Sequence, residues 1–410
     1  MRILVIAAPF PYPPDTGSRN LIYHWLAAAS KDNEVELMAI DESANETRII
    51  PELPDLQIKV IPTEIGRKLP SRLARLSTCA LRGIPATCII YMPLVALEYL
   101  FRKVREEHYD AVVLTENVVA GYAPFLAKIV PVVLFKHSVQ AVDALDSRKR
   151  YGMYHLRWIL EEQIVKRYEE RTCHAATVVC CVNSEDSADL VRRYRLNEPP
   201  EIVPIGVELN CFPPRSTDPG GKVIGFFGNM SWGANVDAAL WFTKKVLPFI
   251  WAQESETRFF VIGPGSKELP FLTKDPRIVT IGPVPQQMIS ETLKEVTVGL
   301  VPVISGTGVR LKLLEMLSMG IPVVSTALGS LGTGCVPGQH VLIADEPEAF
   351  TQAVISLLRD VEKRKKLALA GPLLAQKHTW EGIYPRIRQV IELAARRQAL
   401  TDCGRKLHRS

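Results

Sequence analysis

Residues 305–320 read SGTGVRLKLLEMLSMG, and they bring Gly306, Gly308, Arg310, Lys312 and Glu315 into one short stretch. The run VGLVPV before them (298–303) predicts a strand, and the residues after the second glycine predict a helix closed by Gly320. A helix that starts behind a glycine turn presents unpaired N–H groups and the positive end of its dipole, which suits an anion such as phosphate. At about 100° per residue, Gly308, Lys312, Glu315 and Met319 fall on one stripe. Lys312 can then meet a phosphate while Glu315, a turn further on, accepts hydrogen bonds from ribose hydroxyls. Arg310 lies nearly opposite Lys312 on an ideal helix, so it reaches the same anion only if the first turn stays loop-like. The plainer alternative is a helix whose Lys312 and Glu315 meet solvent or each other. A dinucleotide fingerprint fits less well, because Leu311 stands where its third glycine belongs.

Other residues stand where strands end. His137 follows VPVVLFK (130–136), at the position of a cleft residue, although a strand-end histidine bonded to backbone is the bland reading. Lys136 beside it either adds charge near a phosphate or points outward. Gly17, in PPDTGSR, lets the first loop approach a ligand or simply serves a proline-rich turn, and Asp15 and Arg19 flank it. Glu116, in LTENV, is a further candidate contact for a substrate. The acids in DALD (143–146) and LRD (358–360) lack metal-ligand spacing, so no metal and no cofactor are expected.

These residues need a scaffold that ends many strands on one edge. Short β-branched runs at 2–8, 34–40, 57–63, 110–116, 130–136 and 175–182 read as strands apolar on both faces, which predicts a parallel sheet covered by helices. The alternation restarts at 222–228, 257–265, 278–282, 298–303 and 322–326 after a segment punctuated by Pro213, Pro214, Pro219, Gly220 and Gly221. Two α/β domains facing a cleft follow, each opening on a strand, a glycine turn and a helix, with ligands at the carboxyl ends of the strands. The expected bounds are 1–205, 206–375, a helix at 376–396 crossing back to the first domain, and a basic tail at 397–410.

At 410 residues, 47% hydrophobic and 23% charged, the chain has a globular composition and no apolar run of about 18 residues that could span a bilayer. Three prolines end the apolar opening MRILVIAAPFPYPPD early, so a buried strand is expected there and not a signal peptide. Eight cysteines without a CxxC pair suggest reduced thiols and a cytoplasmic protein. A net charge of +5 is too mild for a nucleic-acid partner. Residues 66–83, GRKLPSRLARLSTCALRG, interleave basic and leucine residues. They suit a peripheral contact with an anionic membrane at its inner face, or equally a solvated helix over the core.

The segment GTGVRLKLLEMLSMGIPVVSTALGSLG resembles the donor-site signature of GT-B glycosyltransferases, closest to the retaining family 4 in a branch linked with bacterial cell-surface polysaccharides. PPDTGSRNLIYHWL, FKHSVQAVDALDSR, EERTCHAATVVCCVNSEDSADL and GFFGNMSWGANVDAALWFTKKVLPFI resemble other segments of that family in the same order. The resemblance implies an α/β GT-B fold of two Rossmann-like domains. It implies a hexosyltransferase-type enzyme that moves a sugar from a nucleotide-diphosphate sugar to a glycan or lipid-linked acceptor, with retention of configuration and without metal. It implies catalytic roles for His137, Lys312 and Arg310, and donor contacts at Gly17, Asn229, Val284, Thr307, Gly308, Val309 and Glu315. Two departures stand out. Thr307 occupies the place of the first glutamate of the family's E-x7-E pattern, and Asn229 to Trp232 replace its usual arginine and lysine after the first strand of the second domain. A GT-B sugar-nucleotide epimerase and a transfer-inactive nucleotide-sugar-binding protein are the alternatives.

Overall fold

The computed structural model describes residues 1–14, 17–41, 48–63, 82–152, 155–272 and 274–407, without the side chains of 286, 287 and 398–407. Most of the basic segment at 66–83 therefore lies outside the described residues, as does Asp15. The chain divides into two compact units, Met1–Pro204 with Ile383–Ser410, and Ile205–Gly382.

The first unit is a seven-stranded sheet in the order β3-β2-β1-β4-β5-β6-β7. Its strands are β1 (Arg2–Ala7), β2 (Glu34–Asp41), β3 (Gln57–Pro62), β4 (Ala111–Leu114), β5 (Val132–Lys136), β6 (Val178–Cys181) and β7 (Glu201–Ile202). Every pairing is parallel. Central strands such as LVI in β1 and AVVL in β4 are buried on both faces because helices cover both sides. β3 departs from the expectation of two apolar faces. It is an edge strand, alternating exposed and half-buried over Gln57–Val60, and its Gln57 and Lys59 meet solvent where no further strand follows. The strand order reverses between β1 and β4, the switch point of a doubly wound sheet, where connections diverge and leave room for a ligand. Glu116 follows β4 at that point, and His137 follows β5 beside it.

The second unit repeats the plan with β8 (Val223–Phe227), β9 (Arg258–Ile262), β10 (Ile278–Ile281), β11 (Val298–Val301), β12 (Val323–Ser325) and β13 (Leu342–Ile343) in the order β10-β9-β8-β11-β12-β13. All its pairings are also parallel. Its switch point lies between β8 and β11, so the turn at Gly228 and the loop 302–310 flank it.

Three adjacent strands of this unit end on glycines with positive φ: Gly228 (153°), Gly263 (132°) and Gly282 (145°). The turns nest. Gly228 N–H donates to Ile262 O at 2.9 Å, and Gly263 N–H donates to Ile281 O at 2.7 Å. A Cβ on Gly263 would lie 2.2 Å from Gly228 O, and one on Gly282 would lie 2.5 Å from Gly263 O. Side chains are thus excluded from this edge by backbone, which cannot swing aside. Gly263→Ala is expected to lower stability by about 2 kcal/mol, from the strained dihedral and the displaced neighbour. Thermal unfolding of the full chain checks this, and an unchanged midpoint contradicts it.

The last helix, Trp380–Leu407, begins in the second unit and belongs to the first from Ile383 onward. Within the first unit it is tied by Tyr384 Oη to His24 Nδ1 at 2.7 Å, by Arg388 to Asp32 at 2.7 Å, and by Arg386 donating to Ile202 O at 3.0 Å. It continues past residue 396 to Leu407, through most of the segment expected as a basic tail, because Arg, Gln, Ala and Leu there favour helix.

Candidate functional site

In the second unit the loop after β11 carries Gly306 (φ 86°) and Gly308 (φ 81°), and the helix α1 that follows spans Leu311–Ser318. Arg310 is its N-cap at φ −91°, ψ 87°, so it stands outside the helix and its relation to Lys312 is not the helical one. Its guanidinium donates to Ser305 O at 3.1 Å and also to Thr307 O. These bonds explain how a two-glycine loop holds a single shape: a planar, multi-donor cation gathers its carbonyls. Arg310 therefore braces the loop in this structure. Ser305 Oγ donates to Asp237 Oδ2 at 3.1 Å, which ties the loop to the helix after β8. Val309 and Thr307 are half-buried, while Gly308 is buried.

Leu313, Leu314, Met316 and Leu317 bury one side of α1 and leave Lys312 and Glu315 half-buried. Met319, expected on their stripe, packs wholly into the core beyond the helix end. Lys312 Nζ donates to Asn235 Oδ1 at 2.7 Å and lies 4.4 Å from the centre of the Phe226 ring. Asn235 Nδ2 in turn donates to Asn229 O at 2.8 Å, and Asn229 Oδ1 accepts from Ser231 N at 2.8 Å. A Cβ on Gly228 would fall 2.7 Å from Lys312 Nζ and 2.9 Å from Asn235 Nδ2, so a side chain there would have to displace both groups. Burial, with Arg310 nearby, pushes the Lys312 amine down to about 7, and burial pushes the Glu315 carboxyl up to about 7 against the pull of Lys312. Lys312 has one neutral acceptor and no carboxylate within ion-pair distance among the described residues. The Glu315 carboxylate makes no hydrogen bond or ion pair among them either. A half-buried amine and a half-buried carboxyl group, each short of partners, sit one helical turn apart beside a switch point. That arrangement fits a ligand with an anionic group and hydroxyls.

The other expected donor contacts are placed individually. Asn229 is exposed in the turn after β8, and Val284 is half-buried after β10, behind Gly282. Gly17, in the first unit, opens the helix Gly17–Ser30 with ordinary φ and nothing within 4 Å of its Cβ position. Its freedom is space rather than backbone angle.

In the first unit, His137 Nδ1 lies 2.9 Å from Glu116 Oε2, with the His137 side chain 30% exposed and Glu116 4% exposed. Burial pulls the imidazole down, but Glu116 and Asp143 outweigh it and the net shift is upward. Lys136 neither points outward nor faces a ligand. Its ammonium is fully buried, donates to Asn117 Oδ1 at 2.7 Å and pairs with Glu169 at 2.9 Å. Glu169 also accepts from the backbone N–H of Gln140 at 2.8 Å and Ala141 at 3.0 Å and from Tyr194 Oη at 2.8 Å. It thus caps the helix α2 (Gln140–Tyr151), whose own N-cap, Val139, has no capping side chain. Sequence reasoning missed this cap, the Asn235 contact and the pairing of Glu116 with His137. The signals were an uncapped helix start, an amide in the first turn of a helix after a glycine, and a carboxylate just past a strand.

Among the described residues no group of three His, Cys, Asp or Glu side chains is arranged to hold a metal ion, and no helix is long and apolar enough to cross a membrane.

Comparison with known proteins agrees with this architecture. Residues 55–210 match the family model "Glycosyltransferase Family 4" and residues 221–360 match "Glycosyl transferases group 1". An uncharacterized 44.6 kDa protein in the cps region of Klebsiella pneumoniae is 24% identical over 150 residues, 35% of this chain and 39% of that protein. The curated relatives are matched over no more than 39% of their own length. Sucrose-phosphate synthase from Thermosynechococcus elongatus superposes with a TM-score of 0.70 at 16% identity, covering 95% of this chain and 98% of that one. Anabaena Alr3699/HepE in complex with UDP-glucose superposes with a TM-score of 0.64 at 16% identity, covering 96% and 99%.

Proposed function

We propose, from the premise that this chain has the GT-B fold and carries glycosyltransferase-family domains in both halves, that it is a glycosyltransferase using a nucleotide-diphosphate sugar. The nucleotide belongs to the second unit. Lys312 and the N-terminal turn of α1 take the diphosphate, Glu315 takes the ribose hydroxyls, and the turns at Asn229 and Gly282–Val284 take the base. Thr307, Gly308 and Val309 lie along the sugar, with Arg310 holding their loop in shape. In the first unit, His137 serves the transferred sugar, and Gly17 leaves its loop free to approach the donor. The observation that carries this reading is the underpartnered Lys312–Glu315 pair beside the β8–β11 switch point.

As the glycosidic bond breaks, charge gathers on the departing diphosphate, and a fixed ammonium and helix N-terminus stabilise that charge more than the ground state. We assign transfer with retention and without metal to this arrangement. The acceptor is a glycan or a lipid-linked glycan, a reading supported by the relative in a cps region. The HepE complex supports a uridine nucleotide. The reading further places the protein in the cytoplasm, with a peripheral contact to anionic membrane through residues 66–83.

The test is a panel of nucleotide sugars supplied with polysaccharide and lipid-linked acceptors, with release of nucleoside diphosphate as the readout. Acceptor-dependent release supports transfer, and no release with any donor contradicts it. A second measurement concerns protons. With its amine pushed down to about 7, Lys312 is mostly neutral at pH 8 in the free protein, and a bound diphosphate favours its charged form. Binding of UDP at pH 8 is therefore expected to take up protons, seen calorimetrically as heats that vary with the ionisation enthalpy of the buffer. Lys312→Met removes the uptake, whereas uptake that survives in that variant assigns it to another group.

A further inference from the structure

Glu116 occupies an unusual position for a carboxylate. It is the N-cap residue of the 3-10 turn Asn117–Tyr122, yet its side chain makes no capping hydrogen bond. Glu116 is 3% exposed, and its Oε1 is buried without a hydrogen-bonding partner. Its one ionic contact among the described residues is His137 Nδ1 at 2.9 Å, an ion pair rather than a directed hydrogen bond. A buried carboxylate so poorly served is costly unless a cation faces it. Lys136, which precedes His137 in the chain, is held by Asn117 and Glu169. The His137 ring keeps 30% of its side chain exposed while Nδ1 is buried, so Nε2 is the nitrogen left to a ligand.

The surroundings fix both partners. Asn117, next to Glu116, donates from Nδ2 to Ser138 Oγ at 3.2 Å, and Ser138, next to His137, donates to Asp143 Oδ2 at 2.8 Å. The ends of β4 and β5 are thereby tied side by side. The charged groups that face the imidazole are Glu116 from the β4 end, Asp143 from α2 and Lys136 from its own strand, two anions against one cation that is already paired.

We propose that Glu116 is a positioning residue: its carboxylate pairs with the His137 ring on its Nδ1 side and keeps it cationic, so that Nε2–H donates to an anionic or hydroxyl oxygen of the bound sugar nucleotide. The identity of that ligand rests on the function proposed above, but the pairing itself does not. Activity that needs this imidazolium persists above the ordinary histidine range and is lost as pH rises through the His137 pKa. In Glu116→Gln, which keeps the shape and removes the charge, the loss moves to lower pH.

The experiment is an NMR titration of the His137 ring in the full-length wild-type protein and in Glu116→Gln, with the pH profile of nucleotide-sugar turnover recorded for both. The expected result is a wild-type pKa above about 6.5 that falls by about one unit or more in the variant, with the high-pH limb of turnover moving by the same amount. Glu116→Asp is expected to restore part of the shift. A wild-type His137 that titrates at or below the ordinary value overturns the proposal without reference to any variant, as does an unchanged titration in Glu116→Gln. A shifted histidine in a protein that binds no nucleotide sugar supports the pairing and overturns the donor reading.

Discussion

Lys312→Ala is expected to weaken binding of UDP by about ten- to a hundredfold, the loss of one charge-assisted hydrogen bond to phosphate worth about 1.5–3 kcal/mol. The Lys312 amine is desolvated before any ligand arrives, lying over the Phe226 ring with one bond to Asn235, and a bound phosphate favours its charged form. Its interaction with phosphate is therefore only weakly screened by solvent. The fold should tolerate the change. Burial already disfavours the charged amine, so its removal relieves a desolvated group; it leaves Asn235 Oδ1 short of a donor and the Glu315 carboxyl without the pull of Lys312. Lys312→Ala is thus expected to unfold at a temperature close to that of wild type while losing affinity. Parallel losses in both contradict a binding role.

The second large effect concerns stability. Glu169→Ala is expected to destabilise the protein by about 3–5 kcal/mol, the usual consequence of stripping a buried charge of its partner. The carboxylate is fully buried and satisfied four ways, by Lys136, two backbone N–H groups of α2 and Tyr194. Removing it leaves the Lys136 ammonium with only Asn117 and leaves the α2 N-terminus without a cap. Both changes fall next to His137, so catalysis is expected to suffer even below the melting temperature. Replacing both charges, Lys136→Met with Glu169→Gln, is expected to recover part of the loss. Urea denaturation of the three proteins measures the difference, and a single variant as stable as wild type contradicts the account.

The sheet architecture was legible because parallel strands buried on both faces leave a strong apolar signature, as in ILVI of β1 or AVVL of β4. β3 broke the pattern through its edge position, which depends on strand order and not on local sequence. The loop at 305–310 was legible as a glycine turn before a helix. The local role of Arg310 was not, because helical spacing misleads for a residue outside the helix. Lys136 shows the same limit from the other side: a lysine ending a strand reads as surface, and only the distant Glu169 makes its burial tolerable. Asn235 and Glu116 gave little signal because their partners, Lys312 and His137, lie on other elements. Contacts between elements, unlike periodicity within one, are set by topology.

The proposed function requires the Lys312–Glu315 pair beside the β8–β11 switch point to hold a nucleoside diphosphate. The most direct test is a calorimetric titration of wild-type protein, Lys312→Ala and Glu315→Ala with UDP, GDP and ADP at neutral pH. Saturable binding of at least one of these by the wild type is expected, weakened about tenfold or more by either substitution. Wild-type protein that binds none of the three, or variants that bind as tightly as wild type, contradict it.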